Sequence, residues 1–497
     1  MREIELKFAV EPAAAARIAA ARPLAGIRPV RSRMTTWYFD TPQCELRGRD
    51  MVLRLRRDGA RWVQSLKAGR SGRGGLHVRE EWEFDRDTPG LELALFADTP
   101  LAEVPDAERL HERLRIAFQV EVVRTAWRLA RAPGERLEVV LDQGRVRRGR
   151  RSKAIRELEI ECREGDTGAA FALAAALLAE APLRASAVTK SERGYRIFTG
   201  EAPAPARARP VALPAALSPL GAAREIVGSA LEELQANEEG VLASRDPEFV
   251  HQARVALRRI RSALRIFRAA VGPGRARAWR AELGELAAAL GRARDWDVLA
   301  GETLPPILAA HGDRPLARRL LAKAERRRSR EREAARRALS SPRYARVVLE
   351  LARWLAQADA EPAAPSGPLA PFAARVIGRR HRRLLAHAER LAKLDAEGRH
   401  RLRIQAKRLR YGIDGLAAVF ASRRTARYRD ALVDLQDALG EANDAATALA
   451  LLPALAPPEA FMRFARRRLG ARARGDPARL RRAVARLARR GPPGARR

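Results

Sequence analysis

The chain is poor in cysteine, in aromatic residues and in long apolar runs. Two cysteines in 497 residues, Cys44 and Cys162, exclude a disulfide framework and a multi-cysteine zinc site, and they suit a reducing compartment. Aromatics are 5% of the residues and do not interleave with the basic ones, so base-stacking platforms are missing. With no zinc finger, RNP motif or basic zipper either, nucleic acid is not the expected partner. The Ala/Leu-rich stretch 171–181 falls well short of the roughly 18–20 apolar residues that a membrane span needs. The first residues form a patterned segment instead of a basic and apolar leader, so a cytoplasmic protein is expected. Acids are also scarce, and unevenly so. Residues 1–200 hold 37 Lys+Arg against 29 Asp+Glu, whereas residues 201–497 hold 60 against 31. The second part is therefore suited to a polyanion, although an arginine-rich coding bias alone raises such a figure.

What is present up to residue 200 is a two-faced alternation. Glu3, Glu5 and Lys7 alternate with Ile4 and Leu6, and in a strand successive side chains point to opposite faces. The same pattern recurs in Leu53 and Leu55 against Arg54 and Arg56, and in Val78, Trp82 and Phe84 against Arg79, Glu81 and Glu83. It recurs again in Leu158 and Ile160 against Glu157, Glu159 and Glu161. If these strands close into one barrel with the charged faces inward, acids and bases line a common tunnel. Acids to hold a metal and bases to hold phosphates describe a phosphoryl-transfer site. The pattern predicts strands at 37–40, 51–57, 61–68, 76–84, 117–129, 136–142, 144–150 and 155–163, with a hairpin turn at Asp58-Gly59. Helices are expected at 11–21 and 167–180.

The Ala/Pro-rich stretch 201–219 reads as a semi-rigid linker. From residue 220 to 497 nearly every segment has helical periodicity, broken by Gly or Pro at 272–274, 305–306, 362–371 and 457–458, with a frayed tail at 491–497. An ungapped internal repeat runs through about fifty residues at an offset of 149. His251, Arg254, Arg258, Arg259 and Arg261 match His400, Arg403, Lys407, Arg408 and Arg410, and Trp279, Leu286 and Asp295 match Tyr428, Leu435 and Asp444. Two related helical bundles follow from this. In the first copy Val250, Ala253, Leu257, Ile260, Leu264 and Phe267 make a buried stripe, and His251, Arg254, Arg258, Arg261 and Arg265 run beside it. A basic stripe on one helix reads as a solvated face. Its duplication at identical spacing reads as a ligand surface, and a featureless phosphate chain needs only the charge array.

Residues 1–200 resemble the CYTH superfamily of triphosphate tunnel enzymes. The resemblance is carried by Glu3-x-Glu5-x-Lys7, Tyr38-Phe39-Asp40-Thr41-Pro42, Arg54-x-Arg56 and Lys190-x-x-Arg193-Gly194-Tyr195, in that order. Residues 220–497 resemble the CHAD domain, a helical module linked to polyphosphate, through the two His-plus-basic helices and Arg294-Asp295-x-Asp297. The pairing is similar to bacterial inorganic triphosphatases. The resemblance implies an α+β chain: an eight-stranded antiparallel β tunnel with flanking helices, followed by two pseudo-symmetric helical bundles. It implies that Lys7, Arg54, Arg56, Lys67, Arg124, Lys190 and Arg193 hold phosphates. Glu3, Glu5, Asp142, Glu157 and Glu159 would hold Mg²⁺ or Mn²⁺ or orient the attacking water, with Glu5, Lys7 and Arg56 closest to the chemistry. His251, Arg254, Arg258, Arg261, His400, Arg403, Lys407 and Arg410 would hold polyphosphate, with association with polyphosphate granules as a consequence.

Two positions depart from the family pattern. Gln119 stands where a small hydroxyl residue is expected, and Ala446 replaces the second acid of Asp295-x-Asp297 in the second repeat. The tunnel pattern leaves open inorganic triphosphate, thiamine triphosphate, a nucleoside triphosphate hydrolysed or cyclised, and a non-enzymatic polyphosphate scaffold. The absence of an identifiable base-recognising cluster and the basic helical half favour hydrolysis of inorganic triphosphate.

Overall fold

The computed structural model describes residues 2–69, 73–214, 216–357, 367–391, 394–420, 422–474 and 476–494. The expected break at 362–371 and tail at 491–497 lie partly outside these residues. The chain divides into two compact units. In the first, strands β1 (Arg2–Val10), β2 (Val30–Asp40), β3 (Met51–Asp58), β4 (Arg61–Ala68) and β5 (Leu76–Arg86) are followed by β6 (Arg115–Ala132), β7 (Glu135–Arg148), β8 (Arg151–Glu164) and the short β9 (Leu183–Ala185). All ladders are antiparallel, in the order β5-β4-β3-β2-β6-β7-β8-β1-β9. Pairing of β1 with β5, in the register Glu3 to Arg79 and Glu5 to His77, closes eight strands into a barrel. Closure leaves these strands without the free edges that an open sheet exposes. β9 continues the pairing of β1 beyond the point where β5 begins.

The alternation of the strands gathers apolar residues of the barrel into separate clusters. Leu46, Met51, Leu53, Leu66 and Phe96 belong to an outer core covered by short helical turns between β5 and β6. In another, Met34, Tyr38, Phe118, Val120, Val146 and Ile155 pack with Tyr195 and Ile197 of the Lys190–Thr199 helix. The helix Thr167–Glu180 has the expected boundaries and buries Phe171, Leu173, Leu177 and Leu178. It packs on β8, and on it packs a second helix, Pro342–Ala356, from far along the sequence. That helix lies in the stretch which sequence reasoning assigns to the helical half.

Two further differences have local causes. Strand β2 begins at Val30, seven residues before the expected start, because β6 pairs with it throughout. The segments 136–142 and 144–150 form one strand, β7, which runs straight through Gly144. Gly144 reads as a break in sequence, but here it permits a close approach: a Cβ would lie 1.9 Å from the carbonyl oxygen of Glu121 on β6.

The second unit is helical. Pro219–Ala243, Pro247–Ile266 and Pro273–Val298 form one run, and Leu369–Ala388, Ala396–Leu416 and Arg423–Leu451 repeat it in the same order. Helix starts follow from capping. Ser218 and Asp246 accept hydrogen bonds from the backbone N–H of Gly221 and Glu248, each followed by a proline at the first helical position. The expected apolar stripe is buried in both copies, from Val250 to Phe267 and from Leu402 to Ile413. The stretch read as a linker is strapped down at Ala206 and Arg209. Asn237 exchanges hydrogen bonds with Ala206, and Glu233 accepts from the Arg209 N–H. Among the described residues no helix is long and apolar enough to cross a membrane.

Gly144→Ala should cost about 3 kcal/mol, the upper end of overpacking penalties, because backbone and not a side chain must move. Thermal unfolding checks this, and an unchanged transition would mean that β6 and β7 do not approach as described.

Candidate active site in the tunnel

Residues paired across an antiparallel ladder share a face, so the registers decide what meets inside the barrel. Glu5 lies opposite Glu161, Lys7 opposite Glu159, and Glu3 opposite Arg79. Arg54 lies opposite Ser65, Lys67 opposite Glu81, Arg124 opposite Asp142, and Asp142 opposite Glu157. All of these except Ser65 and Glu157 line a cavity of about 100 Å³.

The charges form two connected networks. In one, Lys7 bridges Glu5 and Glu159, both at 2.9 Å, and Lys190 reaches Asp142 at 2.7 Å, Glu157 at 2.7 Å and Glu159 at 2.9 Å. Arg124 grips Asp142 with two hydrogen bonds of 2.9 and 2.7 Å. In the other, Arg54 donates to Ser65 at 2.7 Å and to Glu81 at 2.8 Å, Arg56 pairs with Glu83 at 3.3 Å, and Lys67 bridges Glu3 at 2.5 Å and Glu81 at 3.2 Å. Burial opposes the charge on Lys7 and on Lys190, yet their carboxylate neighbours outweigh it and hold both ammonium groups protonated above the ordinary lysine range. Burial also opposes the charge on Glu159, but Lys190, Lys7 and Arg124 keep it well below the carboxylate range. Arg56 is shifted downward by burial and by Arg54 beside it.

Glu161 behaves differently. Burial pushes its pKa up to about 8 against the opposing charge of Arg163, paired at 2.7 Å; Glu3 and Glu5 add to the rise, and Lys67 also opposes it. Glu5 and Glu161 face one another across the β1–β8 ladder, with Lys7 beside the first and Arg163 beside the second. Their all-oxygen donors fit a hard divalent ion in chemistry. Among the described residues no three acid, histidine or cysteine side chains are gathered closely enough to ligate one as they stand.

The helix Lys190–Thr199 delivers two cations to this site from its first turn. Thr189 caps it by accepting from the Glu192 N–H at 3.1 Å. A Cβ on Gly194 would lie 2.1 Å from the Phe118 ring, so only glycine lets the helix sit this close to β6. Tyr195 then donates its hydroxyl to Asp40 Oδ2 at 2.7 Å. Asp40 is fully buried and also accepts from the backbone N–H groups of Thr41, Leu46 and Arg47.

In the helical unit the two basic stripes converge. Arg258 Nε donates to the Tyr411 hydroxyl of the second copy at 2.7 Å. Burial, then the charges of Arg403, Arg258 and Arg254, push the Lys407 ammonium down to about 7. Asp295 pairs with Arg254 at 3.4 Å, and Asn443 Oδ1 accepts from Arg403 at 2.9 Å. His400 Nδ1 lies 3.2 Å from the same oxygen.

The family model of the CYTH domain matches residues 1–195, and that of the CHAD domain matches residues 225–453. The crystal structure of the CHAD domain from the plant Ricinus communis is 36% identical, with a TM-score of 0.50, covering 57% of this chain and 96% of that one. The chain joins a CYTH domain to a CHAD domain. An inorganic triphosphatase of Haemophilus influenzae is 27% identical over 201 residues, 39% of this chain and 54% of the relative, so the chain spans about half the length of that curated protein. A putative adenylyl cyclase from Hippeastrum, described as having a dominant triphosphatase activity, is 21% identical with a TM-score of 0.32, covering 40% of this chain and 97% of that one.

Of the residues expected in the CYTH tunnel, Lys7, Arg54, Arg56, Lys67, Arg124, Lys190, Glu3, Glu5, Asp142 and Glu159 line one cavity. Arg193 and Glu157 pair with each other at 3.1 Å behind it, with Glu157 reaching the lumen network through Lys190. Glu161, Glu81, Glu83, Arg79 and Arg163 line the cavity too and were not among the expected site residues. Their alternation with apolar neighbours was visible in sequence; the strand register that aims them inward was not. Gln119 does not line the lumen and hydrogen-bonds Glu121 at 3.1 Å, so this departure does not alter the tunnel lining. In the CHAD domain Arg254, Arg258, Arg403 and Lys407 come together, whereas Arg410 turns to Asp414 and Gln436 and Arg261 lies beside Arg280.

Replacing Asp40 with alanine orphans three backbone N–H groups and the Tyr195 hydroxyl, and a stability loss of about 3 kcal/mol or more is expected from chemical unfolding. Tyr195→Phe, which removes one donor, should cost about 1 kcal/mol. An Asp40→Ala loss no larger than that of Tyr195→Phe would disprove the anchoring role.

Proposed function

We propose that the CYTH domain hydrolyses inorganic triphosphate to diphosphate and orthophosphate, and that the CHAD domain binds polyphosphate. The observation that carries the first part is the lining of the tunnel. Cations from β1, β3, β4, β6 and the Lys190–Thr199 helix face the lumen, each already held by a carboxylate. Among the described lining residues Tyr38 is the one aromatic, and it is buried and stacked on Phe118. A nucleobase or thiazolium ring has no platform there, whereas a bare phosphate chain needs none.

Substrate phosphates would exchange with the carboxylates for the guanidinium and ammonium groups. Arg54, Arg56 and Lys67 take one end of the chain, and Lys7, Arg124 and Lys190 take the other. Water attacks the terminal phosphorus in line, the phosphoanhydride bond breaks, and diphosphate leaves with the bond's electron pair. Glu5, within reach of Lys7, orients that water. Glu3, Glu5, Glu159 and Glu161 are the residues that would hold Mg²⁺ or Mn²⁺. Such an ion, when bound, neutralises charge on the phosphoryl oxygens. Asp142 and Glu157 instead keep Arg124, Lys190 and Arg193 in place. Polyphosphate binding by the CHAD domain rests on the convergence of Arg254, Arg258, Arg403 and Lys407, and granule association would follow from it.

Phosphate release from triphosphate, thiamine triphosphate and ATP at equal concentration tests the substrate. Triphosphate should lead by at least tenfold in kcat/KM, about 1.4 kcal/mol of transition-state binding, and a smaller margin rejects the assignment. Chelation should abolish the activity and Mg²⁺ restore it. Glu5→Gln and Arg56→Ala should each lower kcat/KM about a hundredfold, roughly 2.7 kcal/mol. Wild-type rates in both variants would leave the tunnel a binding site and nothing more.

A further inference from the structure

The basic stripe of the Pro247–Ile266 helix does not end at the convergence with Lys407. It continues to Arg261 and Arg265, where three other helices each contribute one arginine: Arg280 from Pro273–Val298, Arg380 from Leu369–Ala388 and Arg408 from Ala396–Leu416. Arg380 Nη1 donates to the Arg408 carbonyl oxygen at 2.8 Å. A Cβ on Gly412 would lie 3.2 Å from that same nitrogen and 3.9 Å from Ile266 Cδ1, which puts Arg380 over the Ala396–Leu416 backbone at the end of the first-copy helix. The Nε groups of Arg261, Arg265 and Arg280 are buried and have no hydrogen-bond partner.

Elsewhere in this unit, arginines in such positions meet acids. Arg254 has Asp295, Arg259 has Glu233 and Arg410 has Asp414. Among the described residues no carboxylate pairs with Arg261, Arg265, Arg280, Arg380 or Arg408. Burial first, and then the neighbouring guanidinium groups, push Arg265 and Arg380 down to about 10. Like charges assembled from four helices weaken the fold unless an anion joins them, and guanidinium forks match phosphate oxygens bidentately.

We infer that Arg261, Arg265, Arg280, Arg380 and Arg408 form a second anion site, and that it and the cluster around Lys407 hold two stretches of one linear phosphate chain. This rests on the polyphosphate reading of the CHAD domain and adds a length requirement to it. Arg254 and Arg265 are eleven residues apart on one helix, roughly 16 Å at the α-helical rise. A short phosphate ligand engages one cluster or the other. A long chain engages both, and its second contact is intramolecular.

The test uses the full chain and inorganic polyphosphate of short and long chain length. In the wild type, long chains should bind at least tenfold more tightly than short ones at equal phosphate concentration. Arg280→Gln/Arg380→Gln should weaken long-chain binding at least tenfold, erase the length preference and leave triphosphate hydrolysis unchanged. The same double variant should unfold at an equal or higher temperature, since it relieves repulsion, and this separates lost binding from lost folding. Arg280→Ala/Arg380→Ala serves as a second variant with the same expectation. Wild-type affinity in both double variants, with Lys407→Ala still weakening binding, overturns the second site and leaves the polyphosphate reading intact. If the wild type binds no polyphosphate, or releases it to RNA at physiological salt, the reading itself falls and the inference with it.

Discussion

Everything that happens in the tunnel depends on the pairing of β1 with β5. Without it the sheet is an open ribbon, and Glu3, Glu5 and Lys7 lie on an edge strand facing water. Closure brings β1 beside β5 on one side and β8 on the other, so that Glu5 meets Glu161 and Lys7 meets Glu159. A slip of one residue in either ladder would turn every charge outward and every leucine inward. The apolar set of β3 and β4 packed outside the barrel enforces the register, because Leu53 and Leu66 can be buried only if Arg54 and Lys67 face the bore.

The two units treat positive charge in opposite ways. In the tunnel each phosphate-binding candidate has a carboxylate partner, and the network holds the cations in place at the cost of a competition that any phosphate must win. Preorganised cations of this kind need little rearrangement when charge develops on a substrate. In the helical unit the arginines near Arg265 have no such partner, and the repulsion remains in the fold. A compensated site suits selective chemistry on a short ligand. An uncompensated one suits capture of a long polyanion.

Motif residues divide along a similar line. Asp40 and Tyr195 belong to the most recognisable stretches of the first 200 residues, yet neither lines the bore. Asp40 gathers three backbone N–H groups and one hydroxyl, and Tyr195 ties down the helix whose first turn carries Lys190 and Arg193. Gly194 allows the approach to Phe118. Their part in the site is to place other residues, which a motif in a sequence does not reveal.

The sequence by itself determined which residues alternate, which helices repeat, and where the charge lies. Period-two patterning marked the inward faces of β1, β3 and β8, and the offset of 149 marked the matched helices, because both signals are local or a simple translation along the chain. Tertiary structure decided the partners. Glu161 belongs with Glu5 only through the β1–β8 register, and Arg280, Arg380 and Arg408 belong with Arg265 only because four helices pack together. Helix Pro342–Ala356 joins the barrel unit though its sequence looks like any other amphipathic helix. Periodicity says that a face is apolar or charged. Which face it meets is set by burial and pairing between segments far apart in the chain, and no window of sequence contains both.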